Sequence, residues 1–157
     1  MNIKLLCVGK TDTPALQHLV DDYEKRLRFY VKFTHEIIPD LKNTRHLSKA
    51  EQKEREGAAL LKILNTSDIL VLLDAGGKSY SSVDFSTYIQ QKMNRGIKQL
   101  IFAVGGPYGF SDSVYRRAQE QLSLSKMTFS HQMVRLFFTE QLYRAFTILN
   151  NTPYHHE

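Results

Sequence analysis

Cysteine occurs once in these 157 residues, at position 7, so the chain cannot close a disulfide on itself. A reducing compartment suits such a chain, and a cytoplasmic location is expected. With no second cysteine nearby, Cys7 is a poor metal ligand and reads as a buried strand thiol. His155 and His156 are adjacent on the tail and lack the spacing of a fixed metal site, so no metal is expected. No apolar run reaches the roughly 20 residues that a membrane-spanning helix needs. The opening MNIKLLCVGK has neither a basic n-region nor a small-residue cleavage site. It reads as a first strand rather than a signal peptide. Internal repeats and low-complexity segments are also missing.

What is present describes a soluble globular protein: 42% of residues are hydrophobic and 24% charged, too apolar for a disordered chain. The length suits one domain spanning residues 1–157, with little room for two. The net charge of +5 is compatible with a nucleic acid partner and does not demand one.

Along the chain, strand-length apolar runs alternate with helical patterns. Ile3–Val8 is a first strand. Thr13 followed by Pro14 starts a helix whose apolar positions Leu16, Leu19, Val20, Tyr23 and Leu27 keep helical spacing through Arg28. A second strand covers Phe33–Ile38, and 40–47 is an exposed loop. Ser48 with Glu51 forms a capping box ahead of a helix that turns apolar by Leu60. Ile69–Leu73 is a continuous apolar run, as expected of a strand buried on both faces. Ser82 caps a third helix that runs through Met93 and is ended by Gly96. Leu100–Val104 is another buried strand, Ser111 or Ser113 starts a short helix, and Leu122–Leu124 is a very short fifth strand. A long helix runs from about His131 to Asn150. The alternation predicts an α/β fold with a mainly parallel sheet and flanking helices.

In such a sheet, loops leaving the carboxyl ends of the strands gather where ligands bind. Three stand out: Asp74–Ser79, Gly105–Gly109 and Ser125–Ser130. Glycine and small polar residues let their backbones approach a ligand closely. Gly77-Lys78-Ser79 resembles the end of a phosphate-binding P-loop, but Leu72 stands where that motif needs glycine, and a tight turn at Gly76-Gly77 is the better reading. Gly105-Gly106-Pro107-Tyr108-Gly109 is not a dinucleotide fingerprint, and no acidic residue on the following strand expected at Leu122–Leu124 is there to hold a ribose. The third loop is long for a turn between a short strand and a helix.

The long helix carries apolar residues on two sides. Val134, Phe137, Phe138, Ala145, Ile148 and Leu149 share one face, while Leu136, Tyr143 and Phe146 project from the other. Such a helix must be covered twice, by a second subunit or by the rest of its own chain. Arg135 and Arg144 then lie near an interface, as rim ion pairs or as grips for carboxylate or phosphate. His131 is either a helix-terminal histidine bonded to backbone or a functional group.

With these residues laid out, the chain resembles the SPOUT-class methyltransferases that modify a pseudouridine of large-subunit ribosomal RNA. The resemblance covers nearly the whole chain. It rests on Ile3–Gly9, Tyr23-Glu24-Lys25-Arg26, Leu73-Asp74 with Gly77-Lys78, Gly105-Gly106-Pro107, Gly109-Phe110-Ser111 and Ser123-Leu124-Ser125. It continues through Met127-Thr128, His131, Val134-Arg135, Glu140–Ala145 and Pro153-Tyr154-His155. One departure is Ser130, where relatives are expected to carry proline. The resemblance implies a C-terminal deep trefoil knot, a homodimer, and S-adenosyl-L-methionine as cofactor. It places the cofactor against Leu73, Gly105, Gly106, Ser125, Lys126, Met127, Thr128, Phe129 and Ser130. The implied reaction is methyl transfer to N3 of a pseudouridine in 23S rRNA, on assembled ribosomes. His131, Arg144, Tyr154 and His155 become target-positioning candidates, and the proton acceptor stays unassigned among His131, His155 and solvent. Two rivals stand beside this reading. One is a non-catalytic RNA- or ribosome-binding module that keeps the same fold; the other is a flavodoxin-like binder of small ligands.

Overall fold

The structure is a computed structural model, and it describes residues 1–156. Five strands and five α-helices alternate: β1 (Asn2–Val8), α1 (Pro14–Leu27), β2 (Lys32–Ile38), α2 (Lys49–Leu61), β3 (Ile69–Ser79), α3 (Ser82–Asn94), β4 (Gln99–Val104), α4 (Asp112–Arg117), β5 (Glu120–Ser123) and α5 (His131–Leu149). The strands form one sheet in the order β2-β1-β4-β3-β5, with every pairing parallel. The expected α/β class with a mainly parallel sheet is therefore the observed one.

Side chains alternate across the sheet and build a core on each face. Leu5, Cys7, Val71, Leu100 and Phe102 meet α1, α3 and α5 on one face. Leu6, Leu70, Leu72, Ile101 and Ala103 meet Leu60 of α2 and Val114 of α4 on the other. Both faces being covered explains the unbroken apolar runs of the central strands. Each fully buried Leu, Ile or Phe here contributes about 1.5–3 kcal/mol relative to exposure.

Local signals act as their chemistry dictates. Ser48 and Glu51 make the reciprocal capping box of α2, with the Ser48 N–H donating to Glu51 Oε2 at 2.8 Å and the Glu51 N–H donating to Ser48 Oγ at 3.2 Å. At α3 the cap is Ser81 rather than Ser82: its Oγ accepts the Asp84 N–H at 3.0 Å. Adjacent serines offer the same cap from sequence, and only the chain path selects one.

The largest departure from the sequence reading is in β3. Asp74–Ser79 is not a loop after the strand; β3 runs on through Ser79. Leu73 and Lys78 both pair with Leu122 of β5, so Asp74–Gly77 bulge out of an otherwise continuous ladder. Gly77 is needed for close approach rather than for a turn. A Cβ on it would lie 2.5 Å from the Leu122 nitrogen and 2.6 Å from the Gln121 carbonyl carbon.

The helix α5 also differs. Its buried side is Arg135, Phe138, Thr139, Leu142, Ala145 and Phe146, while Phe137 is 37% exposed. It lies on the sheet between α1 and α3, and these two neighbours cover its flanks. Its two-sided apolarity is thus explained within one chain, and a wheel diagram could not tell that cover from a partner's. The return of α5 across the sheet after β5 has paired outside β3 is consistent with the expected knot.

Candidate active site

At the carboxyl edge of the sheet a cavity of about 300 Å³ opens between three chain segments. β3 contributes Leu73 and, from its bulge, Asp74 and Ala75, and the exit of β4 contributes Val104, Gly105, Gly106, Pro107, Gly109 and Phe110. Leu122, Leu124, Ser125 and Met127–Ser130 line it from β5 and the following loop, and His131 and Val134 from the first turn of α5. The three segments that the sequence singled out do converge. Of the cofactor candidates, all but Lys126 line the cavity; Lys126 is exposed beside it.

Each wall is held by identifiable bonds. Asp74 accepts the Gly76 N–H at 2.7 Å and the Tyr115 hydroxyl at 2.6 Å, which pins the bulge to α4. Burial, reinforced by that bond to a carboxylate, pushes Tyr115 up to about 12, so it remains a phenol donor. The 125–130 loop is tied by its own serines. Ser123 Oγ donates to the Ser125 carbonyl at 2.8 Å, and the Met127 N–H donates to Ser125 Oγ at 2.9 Å. Ser130 accepts the Met133 N–H at 3.2 Å and caps α5. The residue that departs from the expected proline thus supplies a cap. This self-bonding leaves Met127 74% exposed and Phe129 36% exposed at the rim.

The start of α5 is anchored through Gln132, whose amide donates to the Lys10 carbonyl at 2.9 Å and accepts the Asp12 N–H at 3.2 Å. Arg135, one turn on, is fully buried. Its Nη2 donates to the Val8 carbonyl at 2.8 Å and its Nη1 to Thr11 Oγ1 at 3.2 Å. It is therefore neither a rim ion pair nor a grip for phosphate. It is a strut joining α5 to the end of β1, and an arginine read as polar surface from sequence belongs to the core.

Arg144, Tyr154 and His155 sit elsewhere. Arg144 donates from Nε to Glu140 Oε1 at 3.0 Å, and its guanidinium lies 4.7 Å from the centre of the Tyr154 ring. The Tyr154 hydroxyl donates to Glu140 Oε1 at 3.0 Å and lies 3.1 Å from the Tyr23 hydroxyl. Arg144 Nη1 is 3.4 Å from His155 Nδ1. Burial, with the Tyr23 hydrogen bond and the Glu140 carboxylate, raises the Tyr154 hydroxyl above its ordinary value, so it stays protonated and donates. Arg144 stands thirteen positions beyond His131 along the helix, about 20 Å at 1.5 Å per residue. The four target-positioning candidates thus divide, with His131 at the cavity and the other three at the far end of α5.

Sequence reasoning missed Glu140 and Tyr23 as members of this cluster, and Leu122, Leu124 and Val134 as cavity walls. The four-residue spacing of Glu140 and Arg144 was a signal for the first. Nothing local marks Tyr23, which is 131 residues from its tyrosine partner. Among the described residues no group of three His, Cys, Asp or Glu side chains is placed to hold a metal, and no helix is long and apolar enough to cross a membrane.

A methyltransferase is the class that this arrangement matches among known proteins. The family model described as "Predicted SPOUT methyltransferase" matches residues 1–155, and the chain belongs to the SPOUT methyltransferase family. Among its relatives, it is 62% identical over 157 residues, all of both chains, to ribosomal RNA large subunit methyltransferase H of Flavobacterium johnsoniae. It is 62% identical over 156 residues, 99% of both chains, to the protein of that name from Christiangramia forsetii. To that of Parabacteroides distasonis it is 56% identical over 157 residues, again all of both. A solved structure described as a probable methylase family protein, from Haemophilus influenzae Rd KW20, shares the fold at a TM-score of 0.57. That match has 9% identity and covers 99% of this chain and 71% of the other.

Proposed function

We propose that this chain is an S-adenosyl-L-methionine-dependent methyltransferase that methylates N3 of a pseudouridine in 23S rRNA on assembled ribosomes, working as a knotted homodimer in the cytoplasm. The observation that carries the reading is the cavity built from the β3 bulge, the Gly105–Gly109 loop and the Ser125–Ser130 loop. Its walls fit the cofactor. Leu73, Leu122, Leu124 and Val134 offer apolar surface to an adenine, and the bare backbones of Gly105 and Gly106 offer N–H and C=O groups at close range. The cofactor supplies the electrophilic methyl group, so no metal and no covalent nucleophile is required.

The residues then have separable tasks. Cavity-lining loops hold the donor and exclude water, which favours one in-line geometry with the ring nitrogen. Tyr154 and Arg144 offer an aromatic face and a guanidinium suited to an unpaired base and its phosphate. His131, His155 or solvent accepts the N3 proton. A span of about 20 Å along α5 keeps the Arg144–Tyr154–His155 cluster from the cavity of its own chain. The cluster therefore serves the cavity of a second copy. Support for that copy comes from apolar side chains on the outer surface near the cavity: Met127, Phe129, Met133 and Phe137 are all at least 36% exposed.

Calorimetry with S-adenosyl-L-methionine and with its demethylated product tests the cofactor, and labelled methyl incorporation into ribosomes lacking the modification tests the reaction. The expected result is saturable binding with label in 23S rRNA. Binding of neither compound would overturn the reading. Salt-sensitive ribosome association without label would favour the non-catalytic module.

A further inference from the structure

Behind the glycine loop of the cavity lies a buried acid that the reaction above does not use. Glu56, on α2, is 6% exposed. Its Oε1 accepts the Gln52 side-chain N–H at 2.8 Å, while its Oε2 is buried with no hydrogen-bond partner among the described residues. A buried acceptor left in this way is costly, so its retention calls for a reason. The carboxylate faces Gly106: a Cβ on that glycine would collide with Oε2 and lie 3.0 Å from Cδ. The space around Glu56 and Gly106 is about 10 Å³, room for one water at most and too small for a ligand. Gly105 and Gly106 line both this gap and the large cavity, whereas Glu56 lines only the gap. The loop is thus a wall one peptide thick, with the proposed cofactor on one side and a carboxylate on the other. Gly57 packs as closely against Ser111, so α2 sits tight against the chain that continues from the loop.

We propose that Glu56 is a positioning residue for the cofactor loop. Clamped by Gln52, its carboxylate backs Gly106 and sets how far the Gly105–Gly106 backbone projects into the cavity. Glycine is required at 106 by the acid behind it as well as by any ligand in front. The proposal rests on the cofactor reading for its consequence in binding, and on geometry alone for the contact.

A cycle of Glu56→Ala, Gly106→Ala and the double variant, with Glu56→Gln beside it, tests both parts. Gly106→Ala should lower the melting temperature, and the double variant should regain most of that loss because the methyl enters the space the carboxylate leaves. Glu56→Ala should weaken S-adenosyl-L-methionine binding about tenfold and raise its KM with kcat nearly unchanged; Glu56→Gln, which keeps the shape and an acceptor, should stay within about threefold. Faster hydrogen exchange of the Gly105–Gly109 amides in Glu56→Ala would accompany this. Should Glu56→Ala not fold, Gln52→Ala, which frees the carboxylate from its clamp, is expected to weaken binding about threefold. Cofactor affinity in Glu56→Ala within about twofold of the parent, or a double variant no more stable than Gly106→Ala, would overturn the inference. Failure of the parent chain to bind the cofactor sinks the function proposed above instead, and the stability cycle still decides the contact.

Discussion

At the scale of single residues, burial decides what each reactive-looking side chain does. Cys7 is fully buried in β1, and burial outweighs the nearby Arg135 to push its thiol up to about 12. Thiolate is the nucleophile, so the folded protein should be inert to Ellman's reagent at neutral pH and react in full only on denaturation. Rapid modification of the native chain would contradict the placement of β1. Tyr154 is the opposite case, a partly buried phenol at a cluster rather than in the core. Tyr154→Ala is expected to cut methyl transfer about 10²-fold or more while cofactor affinity stays within about twofold. A loss of cofactor binding would show that the tail shapes the cavity of its own chain. Most of these residues were recognisable as candidates from the sequence. The core role of Arg135 was not, because the groups its guanidinium bonds, the Val8 carbonyl and the Thr11 hydroxyl, lie more than 120 residues away.

At the scale of elements, strands with unbroken apolar runs and helices with marked caps were legible. The joint between β3 and β5 was not. Gly76-Gly77 reads as a turn by composition, and the reason for glycine appears only when β5 lies against it. Gly77→Ala should destabilise the fold by more than about 2 kcal/mol in urea unfolding, because the collision is with backbone that has no room to yield. A neutral outcome would mean that the ladder re-registers across the bulge. The α2 cap gives a pH-dependent check. The Ser48 backbone N–H, with the side-chain hydroxyl, holds the Glu51 carboxyl below its ordinary value. A group depressed on folding stabilises above its unfolded pKa and loses that contribution as pH falls through the folded one. The stability gap between the parent and Glu51→Gln should therefore be present at neutral pH and close under acid, as read from unfolding curves across the carboxylate range.

At the scale of the whole molecule, the parallel sheet and the convergence of three segments could be expected from the α/β pattern, whereas the strand order β2-β1-β4-β3-β5 could not. The destination of the tail could not, since its contacts join residues 23, 140 and 154 across most of the chain. The separation of cavity and cluster makes a sharp prediction about assembly. Leu124→Trp, which fills the cavity, and Tyr154→Ala should each be inactive alone. Mixed and reassembled, they form heterodimers in which one cavity and one tail are both intact, and about a quarter of all sites should recover activity. Sites built within one chain would recover none.

The bulge in β3 has a further consequence. Leu70–Leu73 before it are locked into the central core, and Lys78–Ser79 after it are stitched to β5. Ala75 and Gly76, exposed between the pinned Asp74 and the tightly packed Gly77, act as an expansion joint. The wall of the cavity that they carry can be displaced without unzipping either flank, so remodelling at that wall stays local and the sheet is spared.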